Sequence, residues 1–113
     1  MPPNVRALLF DMQHAAHGIR SFADGRTIDD FKSDLMFRSA VERQFEIIGE
    51  AVARLRKLEP AYAAIFTEFH GIISFRNVLI RGYDTINNDV TWRIVQTKLP
   101  ILLAELETQL SGI

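Results

Sequence analysis

Between positions 75 and 83 the sequence reads FRNVLIRGY, setting two arginines (Arg76 and Arg81), an amide (Asn77) and a phenol (Tyr83) among aliphatic side chains. A guanidinium offers a planar fork of N–H donors that matches the paired oxygens of a phosphate or carboxylate, and it keeps its charge at any working pH. The chemistry open to this set is the binding of such an anion and the stabilisation of charge that builds up on it. The plainer alternative is that both arginines form surface ion pairs or lie along apolar neighbours.

If the segment is helical, each residue turns about 100° from the last. With Arg76 at zero, Ile72, Phe75, Val78, Leu79 and Gly82 share a sector of roughly 200° to 320°, the face expected to pack on the rest of the protein. Tyr83 falls beside Arg76. The opposite sector mixes Arg76, Asn77 and Arg81 with Ile73 and Ile80. A face covered by a second subunit uses both kinds of residue, and under two-fold symmetry each would occur twice around a shared polar pocket. Isolated exposed isoleucines are also ordinary on a monomer.

The elements that must position this segment all read as helices. Val5, Leu8, Leu9, Met12, Ala16, Ile19 and Phe22 recur at spacings of three and four, and Asp24-Gly25 ends that stripe. Thr27 with Asp30 resembles a capping arrangement opening a short helical piece, and Asp34 can cap the long helix after it. That longest pattern, LMFRSAVERQFEIIGEAVARLRKL, turns Phe37, Val41, Phe45, Ile48, Val52 and Leu55 inward, and Pro60 closes it or begins a new turn. Residues 61 to 69 read as a small helix, Gly71 interrupts, and 72 to 83 form the helix carrying the arginines. Asn87, Asn88 and Asp89 supply a turn and an N-cap. The final helix spans about 90 to 110, with Ile94, Val95, Leu99, Leu102, Leu103, Leu106 and Leu110 inward and a kink, not a break, expected at Pro100. No period-2 alternation supports a strand. The expected fold is all-α: one domain over 1–113, an antiparallel up-and-down bundle of four main helices plus short helical pieces.

Composition narrows the classes. At 113 residues, 48% hydrophobic and 24% charged, the chain has the make-up of a soluble globular domain. No apolar run reaches the roughly 18 residues of a membrane span, and Arg6 and Asp11 interrupt what would have to be the core of a signal peptide. With no cysteine, disulfides and thiolate metal sites are excluded, which suits a reducing cytoplasm. The net charge of -1 supplies no global pull toward nucleic acid, so any RNA contact must be local. Ten arginines stand against three lysines, a bias that GC-rich coding also produces.

The stretches AVERQFEIIGEAVARL and FRNVLIRGYDTINNDVTWRIVQTKLPILLAEL together resemble the HepT-like toxin family, the DUF86 group of the HEPN superfamily. The features that carry the resemblance are the IGEA box (Ile48 to Ala51), the Arg76-Asn77 pair, Tyr83 seven residues after Arg76, Trp92, and Leu99-Pro100. It spans about residues 5 to 110. The resemblance implies an α-helical homodimer whose motif helices meet across the two-fold axis, acting as a metal-independent endoribonuclease with no cofactor. It also implies the toxin role in a type VII toxin–antitoxin pair, silenced by an MntA-like nucleotidyltransferase that adds AMP to the motif tyrosine, here Tyr83. In that picture Arg76 holds the scissile phosphate, with Asn77 beside it, and a histidine five residues on handles the proton of the ribose 2'-hydroxyl. The family motif is R-x4-H-x-Y, and Arg81 occupies the histidine slot. A guanidinium stabilises charge but accepts no proton, so the resemblance implies a weak or inactive nuclease.

Other residues admit two readings. Arg38, Glu42, Glu46, Glu50 and Arg54 follow one another at i, i+4 and read as a solvated ion-pair ladder, with Glu50 of the IGEA box a candidate to orient Arg76. Gly49 reads as a point of close helix approach. Asp84 either shapes the surroundings of Tyr83 or caps a turn. Trp92 reads as a core or interface anchor. His70 lies too far along the helix to serve the phosphate at Arg76, and His14 and His17 read as surface residues. No metal-ligand spacing is present. Beyond the nuclease, two readings stay open: a non-catalytic binding partner and AMP acceptor for the nucleotidyltransferase, and a dimeric bundle with no site.

Overall fold

A computed structural model describes residues 1–81 and 86–111, and every element in it is helical. In chain order these are α1 (Pro3–Ala23), α2 (Ile28–Ser33), α3 (Leu35–Leu58), α4 (Pro60–Ala63), α5 (Phe69–Arg81), α6 (Asn88–Thr97) and α7 (Leu99–Ser111). The all-α bundle expected from the sequence is thus the observed class. Helix α3 is its centre, with α1 on one side and α5 on another, while α7 closes against α1.

The apolar stripes explain this order. Val5, Leu9, Met12, Ala16 and Ile19 of α1 meet Val41, Ile48, Val52 and Leu55 of α3, with Leu102, Leu103 and Leu106 of α7, in one core. Each such side chain, taken from water, contributes about 1.5–3 kcal/mol. Phe22 departs from its stripe and stays exposed, lying one residue before the end of α1. Beyond it Gly25 takes a positive φ of 70°, and the Arg26 N–H donates to the Ala23 carbonyl, reversing the chain.

The caps form as the residue types predict. Thr27 Oγ1 accepts from the Asp30 N–H while Asp30 Oδ2 accepts from the Thr27 N–H, a reciprocal capping box. Asp34 Oδ1 accepts from the Phe37 N–H at 3.0 Å and opens α3. Its other oxygen takes Arg26 at 2.8 Å, and that guanidinium lies 4.2 Å from the centre of the Phe37 ring. Phe37, Phe31 and Trp92 form one aromatic cluster, which makes Trp92 a core anchor. Asn87 accepts from the N–H groups of Asp89 and Val90 and starts α6.

Three boundaries differ from expectation. Residues 61–69 are not one helix: Pro60 begins the four-residue α4, and turns come after it. Helix α5 begins at Phe69 and runs through Gly71 without interruption, because packing against α3 outweighs the cost of about 1 kcal/mol that glycine carries in a helix. The last helix divides at Lys98, giving α6 and α7. Pro100 brings no N–H to the Gln96 carbonyl, yet Lys98 keeps a right-handed backbone, donates to Ile94 and accepts from Leu102, so the chain continues in helical form across the interruption.

Candidate functional site

Helix α5 rests on α3 at Gly49. A methyl group at position 49 would collide with Cβ of Arg76, come 2.6 Å from its Cγ and lie 3.4 Å from the Ile72 carbonyl oxygen. The missing side chain is what lets the stem of Arg76 lie directly on the α3 backbone. One residue back, the Phe75 ring meets Phe45 edge-on, with centroids 5.3 Å apart. The helix bearing the arginines is thereby held in both rotation and height.

With its stem fixed, the half-buried Arg76 turns its head along its own helix, and Nη1 donates to Asn77 Oδ1 at 3.1 Å. Asn77 is also half-buried. Arg81 is exposed and is the last described residue of α5. It stands about 7.5 Å further along the axis and about 140° around it from Arg76. Asn77 points within about 40° of Arg81. Its bond to Asn77 directs the Arg76 guanidinium toward the side on which Asn77 projects. Asn77 and Arg81 thus share a flank of α5, with Arg76 joined to its edge through Asn77; Tyr83 and Asp84 lie outside the described residues.

That flank is only partly covered. None of the described residues of α5 is fully buried, although the helix is rich in isoleucine, phenylalanine and leucine. Ile80 is 51% exposed and Val78 40% exposed, so Val78 does not pack as its place on the wheel predicts.

The Glu50 expectation is not met by contact. Its carboxylate takes Arg54 Nη2 at 3.0 Å, along α3, because a residue adjacent to Gly49 is turned about 100° away from α5. Nor is the α3 ladder uniformly solvated. Arg38 gives Nη1 to the carbonyls of Phe31 and Lys32, bracing the turn between α2 and α3. Glu42 is half-buried, and burial pushes its carboxyl above the ordinary value of 4.5, with Arg38 pulling it down and Glu46 adding to the rise. Seven residues separate Glu42 from Gly49, which puts both on one line of α3. The sequence reading placed this carboxylate in a solvated ladder; its i+7 spacing from Gly49, which lies in the α3–α5 seam, was the signal that its side of α3 is partly covered.

Among the histidines, His70 is exposed with its ring against Phe69, and His17 Nδ1 lies 2.9 Å from Arg20 on α1. His14 is exposed on the same helix. Among the described residues no group of three or more His, Asp or Glu side chains could hold a metal ion, and no helix is long and apolar enough to cross a membrane.

The family model described as Ribonuclease HepT-like matches residues 12–108. Among curated sequences, the chain is 34% identical over 105 residues to the protein named Putative RNase MJ0127 of Methanocaldococcus jannaschii, covering 92% of this chain and 85% of the relative. It is 30% identical over 106 residues to Putative RNase MJ1380 of the same organism, covering 92% and 94%. No solved structure matches the chain.

Proposed function

The chain belongs to the ribonuclease HepT-like family, and on that premise we propose that it is the homodimeric ribonuclease scaffold of a type VII toxin–antitoxin pair, with cleavage weak or absent because Arg81 stands in the histidine position. The observation that carries this reading is the fixed Arg76, with its stem on Gly49 and its head on Asn77. A guanidinium held in this way needs little reorganisation to receive a phosphodiester, and its charge favours the transition state, in which the phosphorus oxygens become more negative.

The reaction proposed for this family member is attack of a ribose 2'-oxygen on the adjacent phosphorus, with loss of the 2' proton and departure of the 5'-oxygen, which gains a proton. Arg76 would bind the phosphate. Arg81 adds positive charge but takes no proton, so the step that needs a base is left unserved. Because Arg76 and Arg81 are splayed around one helix, two copies of α5 meeting near Ile80 would bring four guanidiniums to one cleft.

Tyr83 is the proposed AMP acceptor. Its phenol oxygen would lose its proton and attack the α-phosphate of ATP on an MntA-like nucleotidyltransferase, releasing pyrophosphate and adding a negatively charged group to the arginine motif. A cytoplasmic location follows from these partners.

Incubation of the purified chain with RNA, beside an Arg81→His variant, tests the nuclease reading. Restoring the acid–base group is expected to raise cleavage by about 10²- to 10⁴-fold. A variant as inert as the parent would favour the second reading, a non-catalytic partner whose role is to accept AMP; its own test is a mass increase on Tyr83 with ATP and the nucleotidyltransferase. That reading is favoured by one observation, the guanidinium at position 81.

A further inference from the structure

On the other flank of α5, away from Arg81, the bundle is not closed. Phe45 and Ile48 of α3, Ile72 and Phe75 of α5, and Leu99 and Leu102 of α7 surround a cavity of about 210 Å³. Its wall is almost wholly carbon. Across its mouth Lys98 Nζ bonds Glu68 Oε1 at 2.9 Å. Close by, the Thr67 N–H and hydroxyl both donate to Glu105 Oε2, at 3.0 and 2.7 Å. These contacts tie the approach to α5 to the α6–α7 arm across the mouth of this space. Gly71 keeps the mouth open, since only Glu68 Oε2, at 3.3 Å, approaches the place where its side chain would be.

The space opens to solvent past Gly71 and Lys98, and its apolar walls give the water that enters few partners. A cavity of about 150 Å³ lined by leucine, isoleucine and phenylalanine stays dry and takes benzene. The present space therefore accommodates a ring of that size with a short substituent. The rim decides the polarity of the guest. Lys98 and Glu68 neutralise one another, so no net charge invites an ionic head, and a nucleobase would bury amino and carbonyl groups with nothing on the wall to pair them.

We propose that this cavity is a binding site for a small neutral apolar molecule, a single aromatic ring bearing a short alkyl group or an alkyl chain of similar volume. The site is independent of the nuclease reading, because it uses neither arginine nor Tyr83. Its occupant would touch Phe75 and Ile72, the residues beside Arg76 and opposite Gly49, and so would press α5 onto α3 where Arg76 is seated.

Ethylbenzene titrated into the full chain, followed by methyl-resolved carbon-proton spectra and by thermal unfolding, tests the proposal. The expected result is saturable movement of the Ile72, Ile94, Leu99 and Leu102 methyl signals and a rise in Tm of several degrees. Ile94→Phe or Leu102→Phe, which place a ring in the space, should abolish both responses; the titration of the unaltered chain decides if neither variant folds. Methyl signals that stay still up to the solubility limit would overturn the proposal. So would movement of the same signals with protein concentration alone, which would mean that a second copy of the chain fills the cavity.

Discussion

Gly49 and Arg76 occupy one space: the arginine stem lies where the glycine side chain would be. The relationship links the IGEA box on α3 to the arginine motif on α5 through an absence, and no attraction between charged groups is involved. In an open helix, alanine in place of glycine adds about 1 kcal/mol of stability. Here the added methyl would meet backbone-proximal atoms that cannot swing away, and overpacking of this kind costs about 1–3 kcal/mol. Gly49→Ala is therefore expected to lower stability by about 1 kcal/mol in urea unfolding. A gain in stability would show that α5 is not seated as described.

The head of Arg76 depends on Asn77. Removing the amide by Asn77→Ala leaves the stem on Gly49 and frees the guanidinium to rotate. In the Arg81→His background, where cleavage is expected, a guanidinium free to rotate is no longer held for the phosphate, and the expected result is a drop of about tenfold or more in kcat/KM. The thermal midpoint should barely move. A drop in activity matched by a drop in Tm would instead assign Asn77 a purely structural role.

Much of this arrangement was legible in the sequence. The stripes of α1, α3 and α7 announced the core, because burial on one face imposes a period that composition cannot hide. The caps at Thr27 and Asp34 were equally plain, since each needs one side-chain oxygen at a fixed offset, and of the three candidates at 87–89 the cap is Asn87. Gly71 misled because local propensity says nothing of the tertiary packing that holds α5 helical. Glu50 misled for a geometric reason: adjacency to Gly49 in sequence means divergence on a helix, and its charge goes to Arg54. The partial burial of Glu42 was signalled only by its i+7 spacing from Gly49, a weaker mark than an apolar stripe.

That burial has a pH signature. The Glu42 carboxyl is raised by desolvation, so the folded state favours its protonated form; the associated stability is present below the ordinary value of 4.5 and is lost as pH rises through the folded value. Asp34 is held below its ordinary 3.8, first by the Phe37 N–H and then by Arg26, and Asp30 is likewise lowered, first by the Thr27 N–H. Their contributions are present above 3.8 and lost as pH falls through the lowered values. Glu42→Gln is thus expected to be slightly more stable than the parent at pH 7, by less than about 1 kcal/mol after solvent screening, with the advantage vanishing toward about pH 4. Tm measured against pH for the two proteins checks the sign; an advantage that grows in acid would contradict it.

Ile80 is the residue on which the proposed shared cleft is most open to test. It is 51% exposed in the single chain and lies on the flank where Asn77 and Arg81 point. In an isolated subunit, replacing it by lysine removes little buried contact and should change stability by less than about 0.5 kcal/mol. In a two-fold dimer the same change would add two more cations to the four guanidiniums brought together there, a repulsion and desolvation cost that interfaces do not absorb. Sedimentation equilibrium at micromolar concentration should therefore find a dimer for the parent and a monomer for Ile80→Lys, with both chains equally helical. A parent that sediments as a monomer would separate Arg76 from any partner guanidinium and leave each α5 to face solvent alone.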